Sequence, residues 1–421
     1  MIMKRILIIG LGHVGSAIAF AISKNRKEND NYKNVELWGY DINENRVKEI
    51  EDGDDDDFLN LHLDYITSDR SLLKDISDVI VCMSTKQDSG YISATNIYEE
   101  LNKINFDKEV RILVKSTIPV GFTEYLGKML LNSVFFSPEF LREGREALGD
   151  LDKKYRVYLS YNEKLINNKS DINITSQILK LIYCNSKEIR ILPSAEAEMM
   201  KLARNAYLAM RVSFFNEVAN LCRHYEIDPE ECIDNMCEDP RIGSHYNDLS
   251  FGFGGYCLPK DSYHLERMCQ DKIEEYPLLS SLDDSNTQNL FYHTNRIRDR
   301  IKKTVVIYGI GFKRRSDNIT ESAMMNIAKL LATNTDCNII FWELTEDYKE
   351  IIDNWSKTLG HKVWAKMTDS NNYHSPIDRI QVSKDMNLID KDTLIVTEWY
   401  MDDVHKLFKE KECEIYYPGL L

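Results

Sequence analysis

The chain has 421 residues, 43% of them hydrophobic, and a formal net charge of −15 at pH 7. That length allows two or three domains of roughly 100–200 residues each, and the acidic balance argues against non-specific binding to nucleic acid or to an anionic membrane surface. An anionic small ligand stays open, because a few Lys, Arg and backbone N–H groups dominate a single pocket.

The N-terminus runs into an apolar stretch that ends in glycines, with no A-x-A-like cleavage site, and no run of about 18 apolar residues is present to span a membrane. The nine cysteines are scattered, form no C-x-x-C pair and offer no zinc or thioredoxin-like pattern, as suits a reducing compartment. A cytoplasmic protein with no bound metal is expected.

Residues 5–9 (R-I-L-I-I) form a nearly continuous apolar run, the pattern of a parallel strand buried on both faces. A helix is expected over 14–23, then strands over 35–40, 79–83, 110–114 and 134–136. This alternation predicts a doubly wound α/β domain over residues 1–193. The acidic cluster at 54–57 reads as a solvated loop.

Between the first strand and helix lies Gly10-Leu11-Gly12-His13-Val14-Gly15. This G-x-G-x-x-G supplies a tight turn, close backbone approach to a pyrophosphate and close helix–strand contact, with the phosphates at the helix N-terminus. Asp41 ends the second strand, where a carboxylate binds a ribose 2′-OH and repels a 2′-phosphate, so NAD is expected over NADP. The gap from Gly15 to Asp41 is longer than usual, and the polar stretch 25–34 reads as a loop insertion that accounts for it.

From Ser194 to about Glu226 good helix formers run almost without turn residues, which predicts a long helix connecting domains and packing in a dimer. Ser194 is the expected N-cap, with Glu196 and Glu198 in the first turns, where the helix dipole favours negative charge. A helical middle is expected over residues 194–302. The strand–turn pattern restarts at Thr304, with a helix over 322–332 and strands over 338–342 and 393–397, so a second Rossmann-like domain occupies 303–421. The turn Gly309-Ile310-Gly311 lacks a third glycine and reads as structural, with Lys313 as a candidate phosphate contact.

The most specific segment is Phe251-Gly252-Phe253-Gly254-Gly255-Tyr256-Cys257-Leu258-Pro259-Lys260-Asp261. Its glycines let the backbone approach a ligand closely, and a thiol with both signs of charge follows, so Cys257 reads as a nucleophile.

With these motifs the chain resembles the UDP-glucose/GDP-mannose dehydrogenase family over almost its whole length, most of all the bacterial branch acting on UDP-glucose. The resemblance also rests on K-S-T-I-P-V-G from Lys115, S-P-E-F-L-R-E-G from Ser137, Glu198 with Lys201 and Asn205, F-N-E from Phe215, D-P-R-I-G from Asp239, and Lys313 with Ser316-Asp317-Asn318. It implies a four-electron, NAD-dependent oxidation of a nucleotide sugar at C6. Cys257 would capture the C6 aldehyde as a thiohemiacetal, oxidised to a thioester and then hydrolysed. Lys201 and Asn205, four apart on one helix face, would stabilise the oxyanion. Asp261 and Thr117 would handle protons and water, and Glu139 and Glu143 would serve hydrolysis.

The implied cofactor contacts are Gly10, Gly12, His13, Val14, Gly15, Asp41, Arg46, Thr85, Thr117, Glu143 and Lys260. Those for the sugar nucleotide are Phe140, Leu141, Arg142, Glu143, Lys201, Asn205, Arg241, Tyr246, Asn247, Ser250, Gly254 and Lys313, with Arg241 a candidate to reach across a homodimer interface. The chain departs from the family at Met83-Ser84-Thr85, where T-P-T is usual, at Thr320 in place of an arginine, and at Trp399 in place of another.

Two rival readings stay open. One is a 3-hydroxyacid or 6-phosphogluconate type dehydrogenase, which makes a single oxidation without a thiol. The other is a NAD-binding regulator without catalysis. Within the family, GDP-mannose and UDP-N-acetylhexosamines are the alternative substrates.

Overall fold

The computed structural model describes residues 4–53, 61–88, 91–106, 109–141, 146–152, 156–166, 168–271, 275–311, 319–342, 380–398 and 402–420. The chain divides into two compact units, Met1–Arg204 and Asn205–Leu421.

The first unit contains β1 (Lys4–Ile9), β2 (Val35–Tyr40), β3 (Tyr65–Thr67), β4 (Asp78–Val81), β5 (Lys86–Asp88), β6 (Tyr91–Ser93), β7 (Arg111–Val114), β8 (Ser133–Phe136), β9 (Arg156–Tyr161) and β10 (Glu188–Pro193). Eight of these form one sheet in the order β10-β9-β8-β7-β4-β1-β2-β3, while β5 and β6 pair separately as an antiparallel ribbon. All neighbours in the large sheet are parallel except β8 and β9.

Alternate residues of β1 feed two cores, Ile6 and Ile8 on one face and Leu7 and Ile9 on the other. Burial on both faces explains why the strand reads as an unbroken apolar run. Asp78 is the charged residue inside fully buried β4, and it is paired with Arg111 at 2.6 and 2.9 Å. The chain leaves β1 and β4 toward opposite edges, so a crevice opens at their carboxyl ends, the usual ligand position in such sheets.

The stretch expected as a loop after the first helix is only partly one. The helix runs through His13–Glu28 because two of its late polar residues have buried partners. Asn25 donates to the Leu181 carbonyl at 2.8 Å, and Arg26 donates to Val35 O at 2.8 Å and pairs with Asp64. Polar side chains with such partners extend a helix that composition alone ends early.

The second unit contains β11 (Thr304–Tyr308), β12 (Asn338–Trp342), β13 (Ile380–Val382), β14 (Thr393–Thr397) and β15 (Glu414–Tyr416), all parallel, in the order β13-β12-β11-β14-β15. Ser322 caps the helix Ala323–Asn334 by accepting from Met325 N at 3.4 Å. Phe251 and Ile297, from the helical middle, lie in the core of this sheet.

The long helix spans Ser194–His224. Ser194 is its first residue rather than its cap: the buried hydroxyl has no hydrogen-bond partner among the described residues. Glu198 turns away from its own helix and caps another. It accepts from Gly121 N (2.6 Å), Thr123 N (2.9 Å) and Thr123 Oγ1 (2.5 Å) at the start of the helix Phe122–Leu130. Burial pushes its carboxyl above the usual range, and these three hydrogen bonds oppose that shift. Among the described residues no helix is long and apolar enough to cross a membrane, and no cluster of ligating side chains suits a metal.

Candidate active site

In the first unit the glycine turn forms between β1 and the helix His13–Glu28. Gly10 has φ +88°, and a Cβ there would lie 2.9 Å from the Cys82 carbonyl. A Cβ on Gly15 would lie 1.9 Å from Gly10 O, so neither position accepts a side chain. Gly12, the residue before the helix, faces open space and provides no side-chain cap. Uncapped N–H groups behind an open glycine form an anion site.

The Leu11 peptide is fixed from both sides. Its N–H donates to Asp41 Oδ2 at 2.8 Å, and its carbonyl accepts from Arg46 Nε at 2.7 Å and Ser16 Oγ at 2.8 Å. Asp41 Oδ1 accepts from Asn43 N at 2.9 Å. Each carboxylate oxygen keeps a lone pair for a sugar hydroxyl. Arg46, expected at the cofactor, also donates to Ser16 Oγ (2.9 Å) and pairs with Glu49 (2.9 Å), so it braces the turn. Thr85 is buried in the segment between β4 and β5, and Ser116 Oγ donates to Met83 O at 2.7 Å, tying the Thr117 turn to that segment. These residues fit a dinucleotide.

Glu139 follows β8, and both its oxygens are engaged. Oε2 lies 3.0 Å from Lys115 Nζ and accepts from Tyr183 OH at 2.5 Å, while Oε1 accepts from Phe140 N at 2.9 Å. Burial first, then the Glu139 charge, pushes the Tyr183 phenol well above its usual range. Burial likewise raises the Cys82 thiol, so this cysteine stays a neutral packed side chain. Leu141 is half-buried next to the same core.

The second unit holds the thiol. Cys257 is exposed and is the first residue of the helix Cys257–Gln270, where the helix dipole favours a negative sulfur. Asp261, one turn on, is fully buried and accepts from Asn205 Nδ2 at 2.6 Å. Lys260 Nζ lies 3.2 Å from Asp261 Oδ1, at ion-pair distance without hydrogen-bond geometry, so this lysine faces the acid rather than solvent. Burial lowers the His264 imidazole, against the pull of Asp261.

The glycine segment before Cys257 is held by Asn216 of the F-N-E motif and by two asparagines that sequence reasoning missed, Asn286 and Asn289. Asn286 accepts from Phe253 N (2.8 Å) and donates to Phe253 O (3.1 Å), pairing with the backbone as a strand would. Asn216 accepts from Ser250 N at 3.0 Å and Asn289 donates to Ser250 O at 3.1 Å. Gly252 adopts φ +148° with Asn286 Oδ1 2.6 Å from where its Cβ would be, and Gly255 N donates to Thr320 O at 3.0 Å. The available signal was the pair of asparagines three apart on one helix, Asn286 and Asn289. Arg211 was missed too; its guanidinium donates to the Ile242, Gly243 and His245 carbonyls at 3.1, 2.9 and 2.7 Å.

Other expected contacts are placed as follows. Arg241 is exposed and forms a fork with Asp239 in its own turn, at 2.5 to 3.1 Å. Tyr246 is exposed in a left-handed conformation, φ +58°, and Asn247 is half-buried beside it. Gly254 is buried in the loop. Arg142, Glu143, Lys313, the segment 316–318, Trp399 and the acidic cluster at 54–57 lie outside the described residues.

Comparison with known proteins gives the following. Residues 195–288 match the model of the UDP-glucose/GDP-mannose dehydrogenase family, central domain. A UDP-glucose 6-dehydrogenase of Campylobacter jejuni is 31% identical over 354 residues, covering 80% of this chain and 86% of that protein. One from Streptococcus pneumoniae is 31% identical over 359 residues, covering 81% and 87%. Among solved structures, a UDP-glucose dehydrogenase from Pyrobaculum islandicum aligns with TM-score 0.74 at 21% identity, over 94% of this chain and 90% of that one. At such identity the likeness shows the two-domain α/β fold.

Proposed function

Because the chain belongs to the UDP-glucose/GDP-mannose dehydrogenase family, we propose that it oxidises the C6 alcohol of UDP-glucose to a carboxylate in two NAD-dependent steps. The observation that carries this reading is the exposed Cys257 thiol at a helix N-terminus, beside a buried Asp261 held by Asn205. A single alcohol oxidation needs no thiol. A second oxidation does, since covalent capture keeps the aldehyde in place.

NAD supplies the electron acceptor for both oxidations. Asp41 and the glycine turn hold it, and the Asp41 carboxylate excludes the 2′-phosphate of NADP. The Cys257 sulfur adds to the aldehyde carbon, the resulting thiohemiacetal is oxidised to a thioester, and water releases the acid and restores the thiol. Lys201 and Asn205, one turn apart on the long helix, are the groups assigned to the negative oxygen at C6. Asp261 and Thr117 take and return protons. Glu143 serves hydrolysis, and Glu139 contributes from the same segment by holding the backbone at Phe140.

Supplied with UDP-glucose and NAD, the protein should form two NADH per sugar and release UDP-glucuronate, with NADP supporting turnover poorly. One NADH per sugar would favour the single-oxidation reading. Turnover confined to GDP-mannose or a UDP-N-acetylhexosamine would move the substrate within the family.

We further propose a homodimer through the long helix. Tyr207, Phe214 and Leu221 recur at seven-residue spacing and are 54%, 52% and 58% exposed. Such an apolar stripe on one helix suits a second copy of itself. Phe214→Glu is expected to shift the sedimentation coefficient to that of a monomer; an unchanged coefficient would place the interface elsewhere.

A further inference from the structure

The first unit buries an ammonium with three close partners. Lys115 is 2% exposed, and its Nζ lies 3.0 Å from Glu139 Oε2, 3.1 Å from Ser137 Oγ and 2.8 Å from Tyr183 OH. The Tyr183 hydroxyl donates onward to the same Glu139 oxygen. Such a network is rigid when every member is satisfied, and a buried ion pair is a poor device for stability alone.

The network ends on a side chain with a role at C6. Glu139 Oε1 accepts from Phe140 N, and the Phe140 ring centroid lies 5.1 Å from Lys201 Nζ and 3.9 Å from the Arg204 guanidinium carbon. An aromatic face at that distance attracts and orients a cation. Glu139, with one oxygen between two donors and the other on its neighbour's N–H, is built to hold rather than to shuttle a proton.

We infer that Tyr183 and Lys115 are positioning residues that act through Glu139 and Phe140 on Lys201. The inference rests on the reading of Lys201 as a catalytic group. Tyr183 belongs to none of the motifs of the site, and its reach to Lys201 runs through two residues, Glu139 and Phe140.

The test uses Tyr183→Phe, Phe140→Leu, Phe140→Tyr and Lys201→Ala in the full chain, with two readouts. The first is kcat and KM with UDP-glucose and NAD. The second is the rate of reductive methylation at Lys201, followed by peptide mass mapping, which requires no turnover. Tyr183→Phe and Phe140→Leu are expected to lower kcat about tenfold with KM nearly unchanged, the loss of one oriented cation–aromatic contact. Both should methylate Lys201 several-fold faster, and Phe140→Tyr, which keeps the ring, should behave as the parent. Adding Tyr183→Phe to Lys201→Ala should cost nothing more, since both act on one path. A parent-like methylation rate in Tyr183→Phe, or an equal further loss in the double variant, would overturn the inference. Full kcat in Lys201→Ala would instead remove the catalytic reading of Lys201, while the methylation rates would still decide whether Tyr183 positions it.

Discussion

Cys257→Ser is expected to bind NAD and UDP-glucose as the parent does and to lose net turnover by roughly a thousandfold or more, about 4 kcal/mol of barrier. A hydroxyl nearly preserves shape, so both ligands keep their contacts. The alcohol step needs no covalent bond and should persist as a single burst of NADH. A serine ester, if one forms, hydrolyses far more slowly than a thioester, so the enzyme should stop with sugar attached. Intact-protein mass spectrometry should then detect the adduct. Lys201→Ala provides the contrast, because its loss should lower kcat without trapping anything. Full four-electron turnover by Cys257→Ser would reduce the thiol to a bystander at the start of its helix, and the proposed mechanism would fall with it.

Much of this site is legible in the residue order because backbone requirements leave strong traces. Gly10 and Gly15 have no room for a Cβ, Asp41 ends a strand beside them, and Cys257 follows glycines that few other segments tolerate. Strands buried on both faces, such as β7 and β8, leave unbroken apolar runs. What stayed hidden depends on partners distant in the chain. Glu198 read as a residue of its own helix's first turns, yet it caps the helix Phe122–Leu130. Asn25 and Arg26 read as loop residues until Leu181, Val35 and Asp64 supplied their hydrogen bonds. Asn286 and Asn289 have ordinary surface composition, and only folding brings them to the cysteine loop. Arg46 braces the glycine turn through the Leu11 carbonyl, a bond that its place in the sequence does not reveal. A polar side chain's type fixes how many bonds it needs, whereas its partner is set by the tertiary fold.

Glu398 contributes a defined part of the pH dependence of stability. It follows β14, is 2% exposed, and its Oε2 has no hydrogen-bond partner among the described residues. Burial pushes the carboxyl up to about 8, and the Phe251 N–H, at the head of the cysteine loop, only partly opposes the shift. The folded chain therefore keeps a proton at neutral pH that the unfolded chain has lost, since a free glutamate ionises near pH ~4.3. A raised carboxyl is harmless below the unfolded value. Above it, stability falls by about 1.4 kcal/mol per pH unit up to the folded value, then levels off, for a total on the order of 4–5 kcal/mol. Glu398→Gln keeps the shape and never ionises, so it should remove this slope. At pH 5 the two proteins should melt within a few degrees of each other. By pH 8 the variant should be the more stable by several kcal/mol, read as a higher urea midpoint at unchanged m-value. Urea midpoints that run parallel from pH 5 to pH 8 would mean that Glu398 is ionised in the fold, held by a charge or donor that offsets its burial.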